Sequence, residues 1–521
     1  MHYTVPIWQA PSVTSLETET TVKKNLSIVE QFQERTRQIA DLTGSAAALT
    51  WDQETLMPEK GATFRARQVS TLAELRHKLL VDPAFGDLIE AASEQMTTSE
   101  GKADIREAKR QHLKAIKVPG QLVRQLASTS SLAYCAWVDA RKKSSFTDFA
   151  PWLEKIINLK IQEARCLNLG VTPYDSLLDE YEPGMQESTL SSLFSTVRPQ
   201  LTSLLHEIRE SPLSTADFNI RGNYPLESQS EFGKKVLTAM GFDWKAGRLD
   251  VSPHPFCTGL SPRDVRITTR YDKADFSVAF FGMVHECGHA LYEQGLDPER
   301  YGLPGNESVS LGIHESQSRL WENMVARSAG FWEFWYPKLK KTFPGQLNSV
   351  PLDQFLLCIN KVEASLIRVD ADEISYGLHV ILRFEIERAL LSEELKVKDL
   401  EDYWSEQMGK YLGVQPKNAA EGVLQDVHWS SGLFGYFPTY LLGTIYATQF
   451  YDRAKQEIPD LENNIAAGSL DPLREWLQSN IHRRGKIYSA TELVKKVTGE
   501  TLQANQFLEY LSTKYRSLYK L

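Results

Sequence analysis

The stretch from Asp275 to Gln294, D-F-S-V-A-F-F-G-M-V-H-E-C-G-H-A-L-Y-E-Q, constrains the chain more than any other. Phe276, Ala279, Phe280, Met283, Val284, Cys287, Ala290 and Leu291 recur at the spacing of a core-facing helical stripe. Roughly opposite them on the helical wheel lie His285 and His289, with Gly282 and Gly288 nearby. Positions i and i+4 stand one above the other on a helix. Both imidazoles can therefore reach one metal ion, with Glu286 beside them as a general base. The helix is predicted to bury one face in a core and open the other onto a cavity. A chance occurrence of the pattern is the competing reading, and further ligands decide between the two.

A third ligand is expected from a nearby element. After Gly302-Leu303-Pro304-Gly305 comes H-E-S-Q-S-R-L-W-E-N, His314 to Asn323. Ile313, Leu320, Trp321 and Met324 make an apolar face there, and Glu315 projects from the other side. Glu315 follows His289 by 26 residues, room for a helix end, a loop and an antiparallel helix. Two histidines and one carboxylate leave a fourth position for water, the open arrangement of a catalytic zinc. The alternative for Glu315 is a surface acid paired with Arg319 at i+4.

The rest of the chain reads as helical. The stripes Ile28, Phe32, Ile39, Leu42 and Val69, Leu72, Leu75, Leu79 belong to a pattern running from Lys23 to about Ser211. A break is predicted over Trp51–Pro58, and helices over Leu122–Ala140 and Trp152–Leu169, the second closed by Gly170. Between Gly247 and Tyr271 the pattern changes. G-R-L-D-V-S and D-V-R-I-T-T-R-Y alternate like short strands, separated by H-P-F-C-T-G-L-S-P-R. The expectation is a mainly α fold with a small antiparallel sheet next to the metal helix, its edge open to an extended peptide.

Composition narrows the classes. With 521 residues and 42% hydrophobic content the chain can bury a large core, and a net charge of −9 provides no basic field for nucleic acid. Five widely spaced cysteines without C-x-x-C fit a reducing, cytoplasmic compartment. The uncharged run Gly432–Tyr451 is diluted by Pro438, glycines and hydroxyls, so it reads as a buried helix and not a membrane span. Residues 1–20 lack the features of a signal peptide and are expected to form a loose extension. No repeat or linker divides residues 21–521.

Six motifs occur in order: H-P-F (254–256), D-V-R-I-T (264–268), H-E-C-G-H (285–289), H-E-S-Q-S (314–318), I-R-V-D-A-D (367–372) and G-V-L-Q-D-V-H-W (422–429). With W-D-Q-E-T-L-M-P near the N-terminus and H-A-L-Y-E-Q-G-L after the metal motif, the chain resembles the carboxypeptidase Taq family of HExxH metallocarboxypeptidases. Cys257 and Cys287 depart from the pattern without touching a presumed ligand. The resemblance implies a helical, two-lobed, gluzincin-like cleft, with residues 21–521 as a single catalytic domain. It assigns His285, His289 and Glu315 to one divalent ion per subunit, Zn2+ or Co2+, and Glu286 to the general base. It further implies removal of single C-terminal residues with broad specificity, generally sparing proline, by a homodimer.

An enzyme acting on chain ends must recognise a free carboxylate, and an arginine fork suits it. Arg368, which matches the arginine of I-R-x-x-A-D, is the first candidate and Arg266 the second. If Arg368, Asp372, Ser375 and His379 share a helical face, Asp372 orients the guanidinium. His428, Tyr436 and His254 are candidate donors to the transition state. Asp426 is a candidate for fixing an imidazole tautomer. Two alternatives stand beside this reading: an endo-acting oligopeptidase of the same fold, and a noncatalytic peptide-binding protein. The intact His285, Glu286, His289 and Glu315 argue against the latter.

Overall fold

Long amphipathic helices carry most of the structure, and their apolar stripes decide where each one packs. The computed structural model describes residues 26–213 and 220–521, so the extension expected over residues 1–20 lies outside the described residues. Helix α1 (Ile28–Thr55) starts at a capping box in which Ser27 and Glu30 satisfy each other's backbone amides. It runs straight through W-D-Q-E-T, where a break was expected, because no helix breaker precedes Pro58. Trp51 is buried in α1, with the guanidiniums of Arg248 and Arg266 stacked 4.8 and 4.4 Å from its ring. Helices α2 (Ala62–Val81) and α3 (Ser99–Lys117) pack nearby. This N-terminal group has its own apolar cluster around Phe32, Ile39, Leu80, Phe85 and Ile89.

The expected helices over 122–140 and 152–169 are present as Gly120–Lys143 and Phe146–Leu167. The second ends at Asn168 in the left-handed conformation, two residues before Gly170. A much larger apolar cluster, from Ala133 to Tyr519, gathers the remaining elements.

The sheet corrects the antiparallel expectation. Three strands form it: β1 (Gly247–Val251), β2 (Cys257–Ser261) and β3 (Asp264–Thr269), in the order β1-β3-β2. β2 comes from the segment read as a separator. β3 pairs antiparallel with β2 but parallel with β1. The chain reverses twice between β1 and β3, so the third strand returns to the direction of the first.

β3 leads into helix α4 (Phe276–Gly295), capped by Asp275, whose carboxylate accepts from the Ser277 amide. The Thr269 hydroxyl at the end of β3 donates to the Ala279 carbonyl, tying strand to helix. All eight residues of the predicted α4 stripe are buried. Helix α5 (Leu311–Arg319) follows, then α6 (Ser375–Leu391) and α7 (Pro438–Glu457). The uncharged run Gly432–Tyr451 divides into a loop with Gly432 and Gly435 at positive φ and the buried first part of α7. No described helix is long and apolar enough to cross a membrane.

Candidate active site

Two glycines let the helices close on Glu315. At Gly288, between the two histidines' turns, a Cβ would lie 2.6 Å from the Ser318 Cα and 2.7 Å from the Gln317 carbonyl oxygen of α5. At Gly443 of α7, a Cβ would lie 2.4 Å from the Glu315 Cγ. Only glycine allows either approach. The start of α5 is held by Ser310, which accepts from the Ile313 amide, and by buried Glu182, which accepts from the Gly312 amide and the Tyr446 hydroxyl.

Glu315 Oε2 consequently sits 3.6 Å from His285 Nε2 and 3.3 Å from His289 Nε2. The three groups can offer ligand atoms within 4.8 Å of one another. The other oxygen of Glu315 accepts from Arg319 Nε at 2.7 Å. The i+4 ion pair and the orientation toward the histidines thus coexist on one carboxylate. Gly443→Ala is expected to push Glu315 aside at an overpacking cost of about 1–3 kcal/mol. Zn2+ affinity, measured by calorimetric titration, should fall about tenfold or more, and an unchanged affinity would remove Gly443 from the argument.

The opposite ring nitrogens are occupied. A π-helical turn, Leu320–Ala326, continues α5 and carries Glu322 to His285, with Oε2 2.9 Å from Nδ1. Arg319 and Arg327 hold Glu322 in turn, at 3.4 and 3.0 Å. His289 Nδ1 lies 2.6 Å from His314 Nδ1, and His314 Nε2 lies 2.9 Å from Glu293 Oε1. If His289 donates from Nδ1, His314 accepts there and donates from Nε2 to Glu293. Both metal-facing Nε2 atoms are then free lone pairs. A nitrogen–nitrogen–carboxylate set with its outer hydrogen bonds in place fits a divalent ion.

The electrostatics are uneven. Burial pushes the Glu286 carboxyl up to about 7, against the attraction of His285. Burial would raise Glu315 as well, but Arg319 and His285 hold it well below the usual carboxylate range. For Glu322 the hydrogen bond to His285 and the charges of Arg319 and Arg327 likewise outweigh burial.

Beside this group lies a second one. Arg368 stands in a short turn (Arg368–Asp370) before α6, and not on a helix shared with Asp372. Asp372 instead accepts from the Ile374 and Ser375 amides and from the Ser375 hydroxyl. A short acidic side chain at a helix start satisfies its own backbone first. Asp426 takes the orienting role: Oδ1 accepts from Arg368 Nε at 2.9 Å and Oδ2 from Arg383 Nε at 2.6 Å. With both oxygens so engaged, Asp426 lies 3.9 Å from His428 Nδ1 and does not fix its tautomer.

Two buried guanidiniums share one carboxylate, which leaves one positive charge over. Arg368 also donates to the Tyr376 hydroxyl at 3.2 Å and lies 5.0 Å from the Tyr440 ring centre. Arg319 stacks on Tyr376 at 4.5 Å, which joins this group to Glu315. His428 Nε2 is 3.2 Å from the Tyr440 hydroxyl, and the Tyr436 ring packs edge-on to Tyr440 at 5.3 Å. Burial, aided by Arg368 and Arg383 and partly offset by Asp426, lowers His428 to about 4, so its ring is neutral at pH 7. Arg266 is engaged elsewhere, with Asp264 at 2.8 Å and with Trp51. His254 is exposed in the connection between β1 and β2.

Glu322, His314, Glu293, Arg383, Tyr376 and Tyr440 were not assigned from sequence. Spacing signals part of the set. Glu293 stands at i+4 from His289, and Glu322 seven residues beyond Glu315. The tyrosines carry no such signal.

The carboxypeptidase Taq (M32) metallopeptidase family matches residues 31–515. Thermostable carboxypeptidase 1 of Thermus thermophilus is 42% identical over 502 residues, covering 94% of this chain and 98% of the relative. Carboxypeptidase 1 of Bacillus subtilis is 36% identical over 494 residues, covering 94% and 99%. The solved M32 carboxypeptidase of Deinococcus radiodurans R1 superposes with a TM-score of 0.91 at 38% identity, covering 94% of this chain and 99% of that one. A carboxypeptidase structure from Pyrococcus furiosus gives 0.90 at 38%, with the same coverage. A family match over nearly the whole chain, with relatives of the same length, places this protein in the carboxypeptidase Taq (M32) family of metallopeptidases.

Proposed function

We propose that the protein is a metal-dependent carboxypeptidase that hydrolyses the last peptide bond of peptides with a free C-terminus. The carrying observation is the adjacency of two groups: the His285–His289–Glu315 cluster and a buried arginine pair with a surplus positive charge. When bound, a divalent ion supplies a Lewis acid and a water acidified to a pKa of roughly 7. His285, His289 and Glu315 would hold it.

Glu286 takes the proton of the attacking water on its carboxylate and returns it to the departing amine. Arg368, oriented by Asp426 and Tyr376, pairs with the C-terminal carboxylate of the substrate and sets which bond reaches Glu286. His428, Tyr436 and Tyr440 form a hydrogen-bonding wall beside Glu315. Tyr436 and Tyr440 are only half-buried and their hydroxyls are suited to donate to the carbonyl oxygen as it gains charge. His254 and Arg266 are lesser candidates for substrate contact, the latter because Asp264 already neutralises it. Zinc or cobalt as the metal, broad specificity that spares proline and a homodimer belong to the same reading and rest on the family resemblance, whereas a cytoplasmic location rests on the cysteine usage.

N-blocked dipeptides with a free or an amidated C-terminus test this directly. The acid is expected to be cleaved about 10- to 100-fold faster than the amide, the worth of one charge-assisted hydrogen-bonded pair. Equal rates favour an endo-acting oligopeptidase. No turnover with Zn2+ or Co2+ supplied favours a noncatalytic binding protein.

A further inference from the structure

The far end of α4 opens onto a cavity of about 410 Å3 between the N-terminal helices and the main body. Its walls include Thr36 of α1, Arg76 of α2, Gln111 of α3, Glu293 of α4, and Asn306 and Ser308 of the following loop. Glu293 belongs both to this wall and to the chain of hydrogen bonds behind His289. The side chain is wedged against β2, where a Cβ on Gly259 would lie 2.7 Å from its Oε2. The cavity is therefore linked to the metal cluster through Glu293 and His314, while His285, His289 and Glu315 do not themselves line it.

Arg76 is the unusual member. Its Nε is buried and has no hydrogen-bond partner, and the side chain forms no ion pair among the described residues. A buried guanidinium nitrogen without an acceptor is costly. The acids of this cavity do not relieve it. Glu293 is bonded to His314, and Glu307 to Lys486 at 2.7 Å. Among the described side chains that line this cavity only Arg76 has a buried polar atom without a partner; Gln111 stands by as a neutral hydrogen-bonding group, whereas Thr36 donates to the Gln33 carbonyl and Asn306 is held by the Asp297 backbone.

Direction follows from the metal helix. Arg368 and Tyr376 lie on the side of His285 and Glu315, whereas the cavity lies at Glu293, two turns further along α4. A rise of 1.5 Å per residue puts about 12 Å between the levels of His285 and Glu293. An extended chain covers that in roughly three to four residues. A peptide with its C-terminal carboxylate at Arg368 that runs extended along α4 reaches the level of the cavity with those upstream residues.

We propose that this cavity is a substrate subsite in which Arg76 binds the carboxylate of an acidic side chain about three to four residues upstream of the scissile bond. The inference rests on the carboxypeptidase reading above. The test uses the full-length, metal-loaded protein and peptides of six residues that differ only by Glu or Gln at one upstream position. The expected result is a Glu-over-Gln ratio in kcat/KM of about tenfold at one position. That ratio should fall to near unity in Arg76→Gln and largely persist in Arg76→Lys. A ratio near unity at every position in the wild type, or one that survives in R76Q, overturns the subsite while hydrolysis itself leaves the carboxypeptidase reading intact. No hydrolysis of any peptide in the set overturns that reading and the subsite with it. Free glutarate is the control for another source of carboxylate. If it alters turnover of the Gln peptide in the wild type but not in R76Q, while the peptides show no Glu preference, the cavity serves a small molecule and the peptide assignment is wrong.

Discussion

Glu286→Gln is expected to bind its divalent ion like the wild type and to lose about 100- to 10 000-fold in kcat. The amide keeps the size and one oxygen of the carboxylate but cannot accept the proton of an attacking water. Nothing nearby replaces it. Glu315 spends one oxygen on Arg319 and the other on the histidines, and Glu322 is tied to His285, Arg319 and Arg327. Both are also held well below the usual carboxylate range, which makes them poor proton acceptors near neutral pH. Glu286 differs in being pushed upward by burial, where a proton can be both taken and returned. The measurement is paired: metal content by elemental analysis and turnover of an N-blocked dipeptide. A variant with full metal and near wild-type turnover would remove Glu286 from the chemistry. One that lost its metal would mean the residue supports the ion site instead.

How much of this was legible in the sequence depends on how local each signal is. The α4 helix was readable in full, because its apolar stripe and the i, i+4 histidines lie within 20 residues. The placement of Glu315 beside the two histidines was readable because α5 repeats the same logic on an adjacent helix. The orienting acid for Arg368 was not. A helix assumed to continue through residues 368–379 made Asp372 the natural partner, but the chain turns first, and Asp372 is consumed by the amides that begin α6. The actual partner, Asp426, is 58 residues away, and such pairing leaves no trace in periodicity. Glu322 depends on a π-helical turn, whose register departs from the 3.6-residue repeat. The β2 strand carries no periodic signal, because C-T-G-L-S does not alternate, and without it nothing in the sequence signals the parallel pairing of β1 and β3. The tyrosines of the second group converge from two separate segments, Tyr376 on one and Tyr436 and Tyr440 on another, and only the fold brings them together.

Asp426→Ala is expected to be the most destabilising single change in this region, by about 3–5 kcal/mol. It leaves two guanidiniums buried without their shared counter-charge, with side chains 6% and 0% exposed. Burial alone would raise the Asp426 carboxyl, but Arg383 and Arg368 depress it far below the ordinary aspartate value. A depressed folded-state pKa means that the unfolded chain takes up the proton first as pH falls. The stabilisation is therefore complete above the unfolded value of about 3.9 and is lost as pH drops through the folded value below it. Guanidinium unfolding of the wild type and D426A should show a constant gap from pH 8 to about 5, narrowing only below about 4. A gap already closing between pH 7 and 5 would assign the loss to another group, and equal stability at pH 7 would mean that the arginines find other partners. The functional consequence follows from the same geometry. Arg368 without Asp426 keeps its charge but loses the contact that aims its fork, so folded D426A should lose most of its preference for a free C-terminal carboxylate over the amide. If that preference survived at wild-type size, the carboxylate would have to be read by a group other than Arg368.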